Sequence, residues 1–267
     1  MHIFDIDTAL DRKDDNHFSL ALSDKWSIHN SANGGYIMAL LARAMDSGSM
    51  GNDRPVRAAI LTANYLDRCF HCPTEILVET MGESGNFLRK QARLIQEGRE
   101  CIRAMGTFVK PFGSSFETAY ERGPEDLAPW KDCIAMPAMP GYSLFDQVDL
   151  RLDPVSAGWM TGRLADRSVM KGWIRFTEDR PIDLPALTLF ADCFPPCVFA
   201  GRGMVAWVPT IEYSVNVRQL PESNRIKGIF TTKFISNGLV EEDGELWDEA
   251  GNLVALSRQI AKYHPSN

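Results

Sequence analysis

The sequence predicts an α+β fold that is built twice, with one central helix and a run of antiparallel strands in each half. Three observations indicate this fold class. An apolar helix pattern begins directly at Gly34-Gly35, four β-type segments follow it, and the same plan returns in the C-terminal half. One helix followed by strands that turn signals separate is typical of α+β domains, whereas βαβ units alternate the two element types.

The N-terminal half supplies the first copy of the plan. Apolar residues at helical spacing predict a helix over residues 34–46. These apolar positions are Ile37, Leu40, Leu41, Ala44 and Met45. Cys-Pro, Gly-Glu-Ser-Gly and Glu-Gly signals then separate four β-type segments. The predicted strands are 56–67, 74–82, 87–96 and 100–109.

The C-terminal half repeats the plan after a stretch rich in Pro, Gly and Ser that is typical of a surface linker. A helix is predicted over residues 183–194, with Asp183 as its N-cap and Pro185 in its first turn. The predicted strands before this helix are 145–152, 158–165 and 171–176. The predicted strands after it are 205–217, 225–236, 239–248 and 252–264.

The two halves can be overlaid on one another. Thr62-x-x-Tyr65 falls on Thr210-x-x-Tyr213, and Gly98 falls on Gly251. A repeat this long exceeds a solenoid unit and indicates a duplicated domain. Because each central helix is apolar on most sides, we expect each sheet to wrap around its helix.

Composition excludes several functions. The net charge of −7 argues against nucleic acid and anionic membranes as partners, and no apolar run is long enough for a membrane span. The N-terminus lacks the basic and apolar regions of a secretion signal, so a cytoplasmic location is expected. Cys69-Phe-His-Cys72 has the spacing of half a zinc or redox site, but no second CxxC or HxxxH completes it. We therefore expect no metal and no cofactor.

Several motifs together resemble the double-hotdog acyl-CoA thioesterases and are similar to bacterial acyl-CoA thioesterase II. They are GGY at the first helix, then WIRF, LPALTLFAD, PTIEYSVNVR and DEAGNLVALSRQ in the second half. The resemblance covers about residues 15–264. It implies an N-terminal hotdog over residues 1–111, a linker over 112–141 and a C-terminal hotdog over 142–267. It also implies hydrolysis of acyl-CoA to free acid and CoA, and we expect a homodimer or higher homo-oligomer.

Asp192 is unusual on physical grounds alone. It lies near the C-terminal end of an otherwise apolar predicted helix, where the helix dipole and burial both disfavour a carboxylate. It could reach solvent or cap the turn before Pro195-Pro196, or it could be a functional acid. The first-half helix carries Arg43, Ala44 and Met45 at the corresponding positions, and the overlay places Gly106 opposite Gln259. This asymmetry marks the C-terminal half as the one that carries the chemistry.

The resemblance implies roles for three residues. In the family, an Asp, a Thr and a Gln of the second hotdog orient and activate the attacking water, and the matching positions here are Asp192, Thr210 and Gln259. Asp192, held ionised by hydrogen bonds from the other two, would take a proton from water without a covalent intermediate. Taken singly, Thr210 could simply pack within its strand and Gln259 could face solvent.

The start of the first helix is the predicted oxyanion site. Its first turn has unpaired N–H groups and a dipole that favours negative charge. In the hotdog thioesterases that the sequence resembles, the corresponding glycine-led helix start points at the thioester carbonyl, which implies the backbone N–H groups of Gly35 and Tyr36 as donors. The alternative is an ordinary helix start capped by Asn33. A nucleotide loop is disfavoured because GKS, GKT and GxGxxG are all absent from this stretch.

Two further functions use similar scaffolds. A hotdog hydratase or dehydratase usually needs a paired Asp and His, and no Asp-x4-His motif stands near either helix start. A non-catalytic acyl-CoA or lipid-binding protein would keep a pocket but lose the three residues, which are intact here. The sequence favours acyl-CoA hydrolysis and leaves the acyl chain length and type open.

Overall fold

The computed structural model describes residues 1–46, 59–109, 117–204 and 206–265. Its helices are α1 (Ile3–Asp7), α2 (Gly34–Asp46), α3 (Leu144–Gln147), α4 (Leu184–Phe190) and α5 (Val198–Arg202). Short 3-10 helices cover Asp24–Trp26, Trp130–Asp132 and Ser156–Thr161.

The strands of the N-terminal half precede and follow α2. They are β1 (Asp11–Arg12), β2 (His17–Ala21), β3 (Ser27–Ile28), β4 (Ser31–Ala32), β5 (Ala59–Tyr65), β6 (Pro73–Ser84), β7 (Phe87–Gln96) and β8 (Arg99–Val109). The later strands are β9 (Ile134–Ala135), β10 (Val148–Leu152), β11 (Val169–Phe176), β12 (Ala206–Trp207), β13 (Thr210–Val217), β14 (Ile226–Thr231), β15 (Ile235–Ser236), β16 (Leu239–Trp247), β17 (Leu253–Lys262) and β18 (His264–Pro265).

One continuous antiparallel sheet connects both halves. Its strand order is β1-β2-β6-β7-β8-β5-β13-β17-β16-β14-β11-β10-β9, with β15 paired to β16. The order β2-β6-β7-β8-β5 is repeated in reverse as β13-β17-β16-β14-β11, and α2 follows β2 as α4 follows β11. The predicted duplication is therefore visible in the topology. The halves join through β5 and β13, where Thr62 pairs with Ser214 and their hydroxyl oxygens are 2.9 Å apart.

Burial of the two central helices forms the core. Residues Tyr36 to Ala42 of α2 are all buried, and α2 packs against α4 and against β5, β6, β7 and β8. Most of α4 is buried as well. The helices are apolar on most sides, as the sequence indicates, because the sheet surrounds them.

A partly buried ion-pair network lies where the start of α4 approaches α2. The Arg180 side chain is 8% exposed and contacts the carboxylates of Asp5 at 2.8 Å and Asp183 at 2.6 Å. Arg43 of α2 lies 3.1 Å from Asp5 and 3.7 Å from Asp183. Asp183 is also the N-cap of α4, as predicted, because its side chain accepts the Ala186 N–H. Phe4 of α1 packs under the Arg180 guanidinium at 5.0 Å.

The described part of the predicted linker packs on the C-terminal half. Strand β9 pairs with β10, and the Trp130 ring lies under the guanidinium groups of Arg151 at 4.3 Å and Arg225 at 5.3 Å. Residues 110–116 lie outside the described residues, so the limits of the linker and of the two domains stay predictions.

Several predicted elements differ from the structure. Within residues 158–165, predicted as a strand, the first four belong to the 3-10 helix Ser156–Thr161, Gly162 caps that helix with φ 76°, and residues 163–165 form neither helix nor strand. Gly158 has no room for a side chain, since a Cβ would lie 2.2 Å from the Arg163 oxygen. The segment therefore forms a compact helical turn here and not an extended strand. Residues 145–147 belong to α3, so only Val148–Leu152 of that predicted strand is extended.

Prolines explain two other differences. The helix predicted over 183–194 ends at Phe190, and Asp192 lies in the turn before Pro195-Pro196, which cannot continue a helix. The predicted strand 205–217 divides into β12 and β13 at Pro209, which has no N–H for a ladder. Residue 205, and residues 56–58 of another predicted strand, lie outside the described residues.

The strand register corrects one detail of the overlay. Tyr65 pairs with Ile102, whereas Tyr213 pairs with Gln259. With the two tyrosines superposed, the position of Gln259 falls on Ile102 and not on Gly106. The asymmetry remains, because a buried apolar residue in one half corresponds to an amide in the other.

Candidate functional site

The site lies where the N-terminus of α2 meets the turn that follows α4. A Cβ on Gly35 would lie 2.8 Å from the Leu189 oxygen and 2.8 Å from the Asp192 Cβ. A Cβ on Gly34 would lie 2.9 Å from Asp192 Oδ2. Both glycines are therefore required by the close approach of the two segments, and this contact brings residues of both halves together.

The Asp192 carboxylate is held by three donors. Gly35 N–H donates to Oδ2 at 2.7 Å, Asn33 Nδ2 donates to Oδ2 at 3.0 Å, and Gln259 Nε2 donates to Oδ1 at 2.7 Å. Asn33 Nδ2 also contacts the Asp192 backbone oxygen at 3.2 Å. These bonds fix the orientation of the carboxylate. Asp192 thus neither extends into bulk solvent nor serves only as a turn cap.

Gln259 connects the acid to Thr210. Its Nε2 lies 2.7 Å from Asp192 Oδ1 and donates a second hydrogen bond to Thr210 Oγ1 at 2.8 Å. The structure therefore brings the three predicted residues together, but it corrects one predicted contact. Thr210 accepts from Gln259 and does not donate to Asp192, so the Thr210 hydroxyl proton is left for another acceptor.

Burial changes the acidity of Asp192. The carboxyl lies deep among protein atoms, and desolvation raises its pKa to about 6, while the hydrogen bonds from Gly35, Gln259 and Asn33 act in the opposite direction. The residue keeps intermediate exposure because it faces a cavity. A carboxylate with this pKa is still ionised at neutral pH and is a stronger base than an ordinary aspartate.

The predicted oxyanion donors are both engaged within the protein. Gly35 N–H donates to Asp192, and Tyr36 N–H donates to Asn33 Oδ1 at 2.9 Å. The geometry therefore does not support Gly35 and Tyr36 as a preformed oxyanion hole, and Asn33 is the helix cap that the alternative proposed. Within the described residues, Gly34 N–H has no acceptor. The helix start thus offers a donor one residue earlier than predicted.

A cavity of about 380 Å³ opens beside these groups. Asp192, Thr210, Gln259, Gly34 and Tyr65 contribute polar atoms to its lining. Most of its remaining wall is apolar and includes Ile37, Trp159, Phe194, Phe199, Trp207 and Val208. An apolar cavity with a few converging polar groups is typical of a small-molecule site.

Three residues that line the cavity are not among the site residues that the sequence predicts. Asn33 was considered only as a helix cap, although it also binds the acid. The Tyr65 hydroxyl donates to the Gly34 oxygen at 2.7 Å and so supports the glycine pair. Glu242 faces the same cavity, and strand alternation in Glu241-Glu242-Asp243 was the signal that could have identified it.

Metal-ligand clusters, thiols and helix hydropathy describe the rest of the chain's chemistry within the described residues. No group of three or more His, Cys, Asp or Glu side chains there is arranged to hold a metal ion. Cys69 is a buried free thiol and Cys72 a partly exposed one. None of the described helices combines the length and hydropathy that crossing a membrane requires.

Comparison with known families matches both halves of the chain. The family model described as acyl-CoA thioesterase N-terminal domain matches residues 22–109, and the acyl-CoA thioesterase C-terminal domain matches residues 124–262. Both matches contain site residues, since Asn33 and Gly35 fall in the first and Asp192, Thr210 and Gln259 in the second.

Solved structures are similar over nearly the whole chain. A Thermobifida fusca protein assigned as a thioesterase II has a TM-score of 0.89 and 25% identity, covering 99% of this chain and 98% of its own. A hot dog fold protein of unknown function from Alicyclobacillus acidocaldarius has a TM-score of 0.88 and 22% identity, with 100% of both chains covered. Acyl-CoA thioesterase II TesB2 from Mycobacterium marinum has a TM-score of 0.77 and 15% identity, covering 99% of each chain. The predicted double hotdog fold is confirmed.

Proposed function

We propose that Asp192 activates the hydrolytic water in this chain, which belongs to the acyl-CoA thioesterase family and is an acyl-CoA thioesterase. The observation that carries the proposal is the Gln259 amide, which donates to both Asp192 Oδ1 and Thr210 Oγ1. A water that donates to Asp192 and accepts from the Thr210 hydroxyl would occupy the cavity next to this bridge.

The reaction needs no covalent enzyme intermediate. Asp192 removes a proton from the water, whose oxygen attacks the thioester carbon and forms a tetrahedral oxyanion. The C–S bond then breaks, the CoA thiolate leaves, and the proton held by Asp192 passes to the thiolate. Water is thus divided between the free acid and the CoA thiol, and Asp192 returns to its ionised form.

Both halves contribute to this proposed mechanism. The C-terminal half supplies Asp192, Thr210 and Gln259, and the N-terminal half supplies Asn33 and the glycine pair. We assign Gly34 N–H as the backbone donor for the oxyanion, because Gly34 lines the cavity and the helix dipole favours negative charge there. The Gly35 N–H instead orients the base.

The proposal is tested by thiol release from a panel of acyl-CoAs that runs from acetyl to palmitoyl and includes aromatic acyl groups. We expect CoA thiol to appear with at least one member. If the purified chain binds acyl-CoA but releases thiol from none of the panel, the non-catalytic binding protein replaces the proposed function. A Thr210→Val protein serves as an internal comparison, because it keeps the strand and removes the hydroxyl.

The activity should depend on pH through the ionisation of Asp192. Only the ionised carboxylate can accept the proton, and its pKa is raised to about 6 by burial. We therefore expect kcat/KM to rise with pH through about 6 and to level off above it. A profile measured from pH 4.5 to 8 on one substrate checks this. An unchanging profile, or one that falls as pH rises through 6, would contradict Asp192 as the base.

A further inference from the structure

A second carboxyl group faces the cavity beside the proposed water site. Glu242 of β16 is the direct cross-strand partner of Gln259 on β17, and both residues line the cavity. Side chains of directly opposed residues lie on the same face of a sheet, with Cβ atoms about 5 Å apart. The Glu242 carboxyl is therefore close to the group that binds Asp192 and Thr210, and the proposed mechanism does not use it.

The two oxygens of Glu242 have different surroundings. Oε2 accepts the Cys197 N–H at 2.7 Å, next to the start of α5, and this bond fixes the carboxyl. The Cys197 thiol is a second hydrogen-bond partner of this carboxyl. Among the N–H and O–H groups of the described residues, none donates to Oε1. Glu242 keeps intermediate exposure and lines the cavity, so its carboxyl can be reached from there.

Apart from the Gln259 amide and the Cys197 thiol, much of the wall near Glu242 is apolar. Phe194, Pro195, Pro196 and Phe199 lie on the chain segment that contains Cys197, and all of them line the cavity. A purely alkyl chain against this wall would remove water from Oε1 and give it no new partner, which is unfavourable. A ligand with a hydrogen-bond donor at this place would replace the lost water.

We propose that Glu242 selects acyl-CoAs whose acyl chain carries a hydroxyl group close to the thioester carbonyl, with the hydroxyl donating to Glu242 Oε1. The proposal rests on the proposed function, because it takes the cavity as the acyl site. Burial raises the pKa of Glu242 to about 7. The hydroxyl can donate to the carboxyl in either ionisation state, since each keeps a lone pair for it.

The experiment compares hexanoyl-CoA with 2-hydroxyhexanoyl-CoA and 3-hydroxyhexanoyl-CoA. The measured quantity is the ratio of kcat/KM for each hydroxylated substrate to that for hexanoyl-CoA, in the unchanged protein and in Glu242→Met. We expect at least one ratio to exceed about 10 in the unchanged protein and to fall by roughly tenfold or more in the variant. Any general loss of folded protein cancels in this ratio.

Glu241→Met is the matched control. Glu241 precedes Glu242 on the same strand and likewise binds backbone N–H groups, those of Lys233 and Phe234, but it does not line the cavity. Its ratios should equal those of the unchanged protein. Glu242→Gln keeps an oxygen for the Cys197 N–H, so it should retain part of the preference. Its activity also checks that the fold tolerates a substitution at this position.

The possible outcomes separate the two proposals. Equal losses for hexanoyl and hydroxyhexanoyl substrates in Glu242→Met would overturn the selectivity proposal, because the carboxyl would then act on the shared CoA portion or on structure. The same holds if the unchanged protein shows no preference. If no substrate is hydrolysed, the proposed function fails, and dissociation constants for the same CoA esters decide the selectivity of the cavity independently.

Discussion

Asp192→Asn is expected to lower kcat/KM for acyl-CoA by about 1,000-fold while the protein stays folded, within the range that removal of a general base usually produces. The amide cannot accept the water proton, and its NH2 group must face one of the donors that now bind the carboxylate. Steady-state thiol release measures the loss, and thermal unfolding checks the fold.

Asp243→Asn is the matched control for this experiment. Asp243 is the residue after Glu242 and forms an ion pair with Arg258, with 2.6 Å between Nε and Oδ1. It does not line the cavity. Its replacement removes a carboxylate of the same type and should leave turnover within about twofold, because surface ion pairs contribute little. Undiminished activity of Asp192→Asn would remove Asp192 from the mechanism, whatever the control shows.

Gly35→Ala is expected to cost about 2–3 kcal/mol of unfolding free energy and most of the activity. The new methyl group would lie 2.8 Å from the Leu189 oxygen and 2.8 Å from the Asp192 Cβ, and backbone cannot move as easily as a flexible side chain. The start of α2 must therefore separate from α4. Separation also breaks the 2.7 Å bond from Gly35 N–H to the carboxylate.

Chemical denaturation and thiol release on the same preparation test this expectation. Gly82→Ala is the control, since a Cβ there meets nothing within 4 Å, and its unfolding free energy should stay within about 0.5 kcal/mol of the unchanged protein. A Gly35→Ala protein as stable and active as this control would show that the two helices do not approach as closely as described.

Sequence reasoning reached the parts of the site that local patterns encode. Period and turn signals predicted β7 with both of its bounds, and motif resemblance identified Asp192, Thr210 and Gln259. It could not predict that Gly35 N–H binds Asp192, because 157 residues separate the two and their contact depends on how closely two helices pack. The sequence pattern indicates an electrostatic role for these glycines, whereas the structure shows that the close approach of the two segments requires them on steric grounds.

Local composition also predicts the wrong element where glycines allow a close backbone contact or a left-handed backbone conformation. GWMTGRLA contains β-favouring residues, yet Gly158 and Gly162 allow the chain to close into a 3-10 helix. The helical pattern likewise predicts that Asp192 lies within a helix, whereas α4 ends two residues earlier, at Phe190. In each case the deciding interaction involves atoms that are distant in the sequence or a backbone conformation that no side-chain pattern reports.

The ion-pair network of Asp5, Arg43, Arg180 and Asp183 has a consequence for the symmetry of the molecule. Duplication creates two places where the start of one central helix meets the end of the other. At the first, Gly35 meets Asp192, and at the second, Asp183 meets Arg43. The second place is filled by Arg180 and by Phe4 from the N-terminal helix. Ion pairs and an aromatic ring therefore occupy the place that corresponds, by the internal duplication, to the contact of Gly35 with Asp192, and none of these charged residues lines the described cavity. The two helix starts are thus equivalent in topology and different in chemistry.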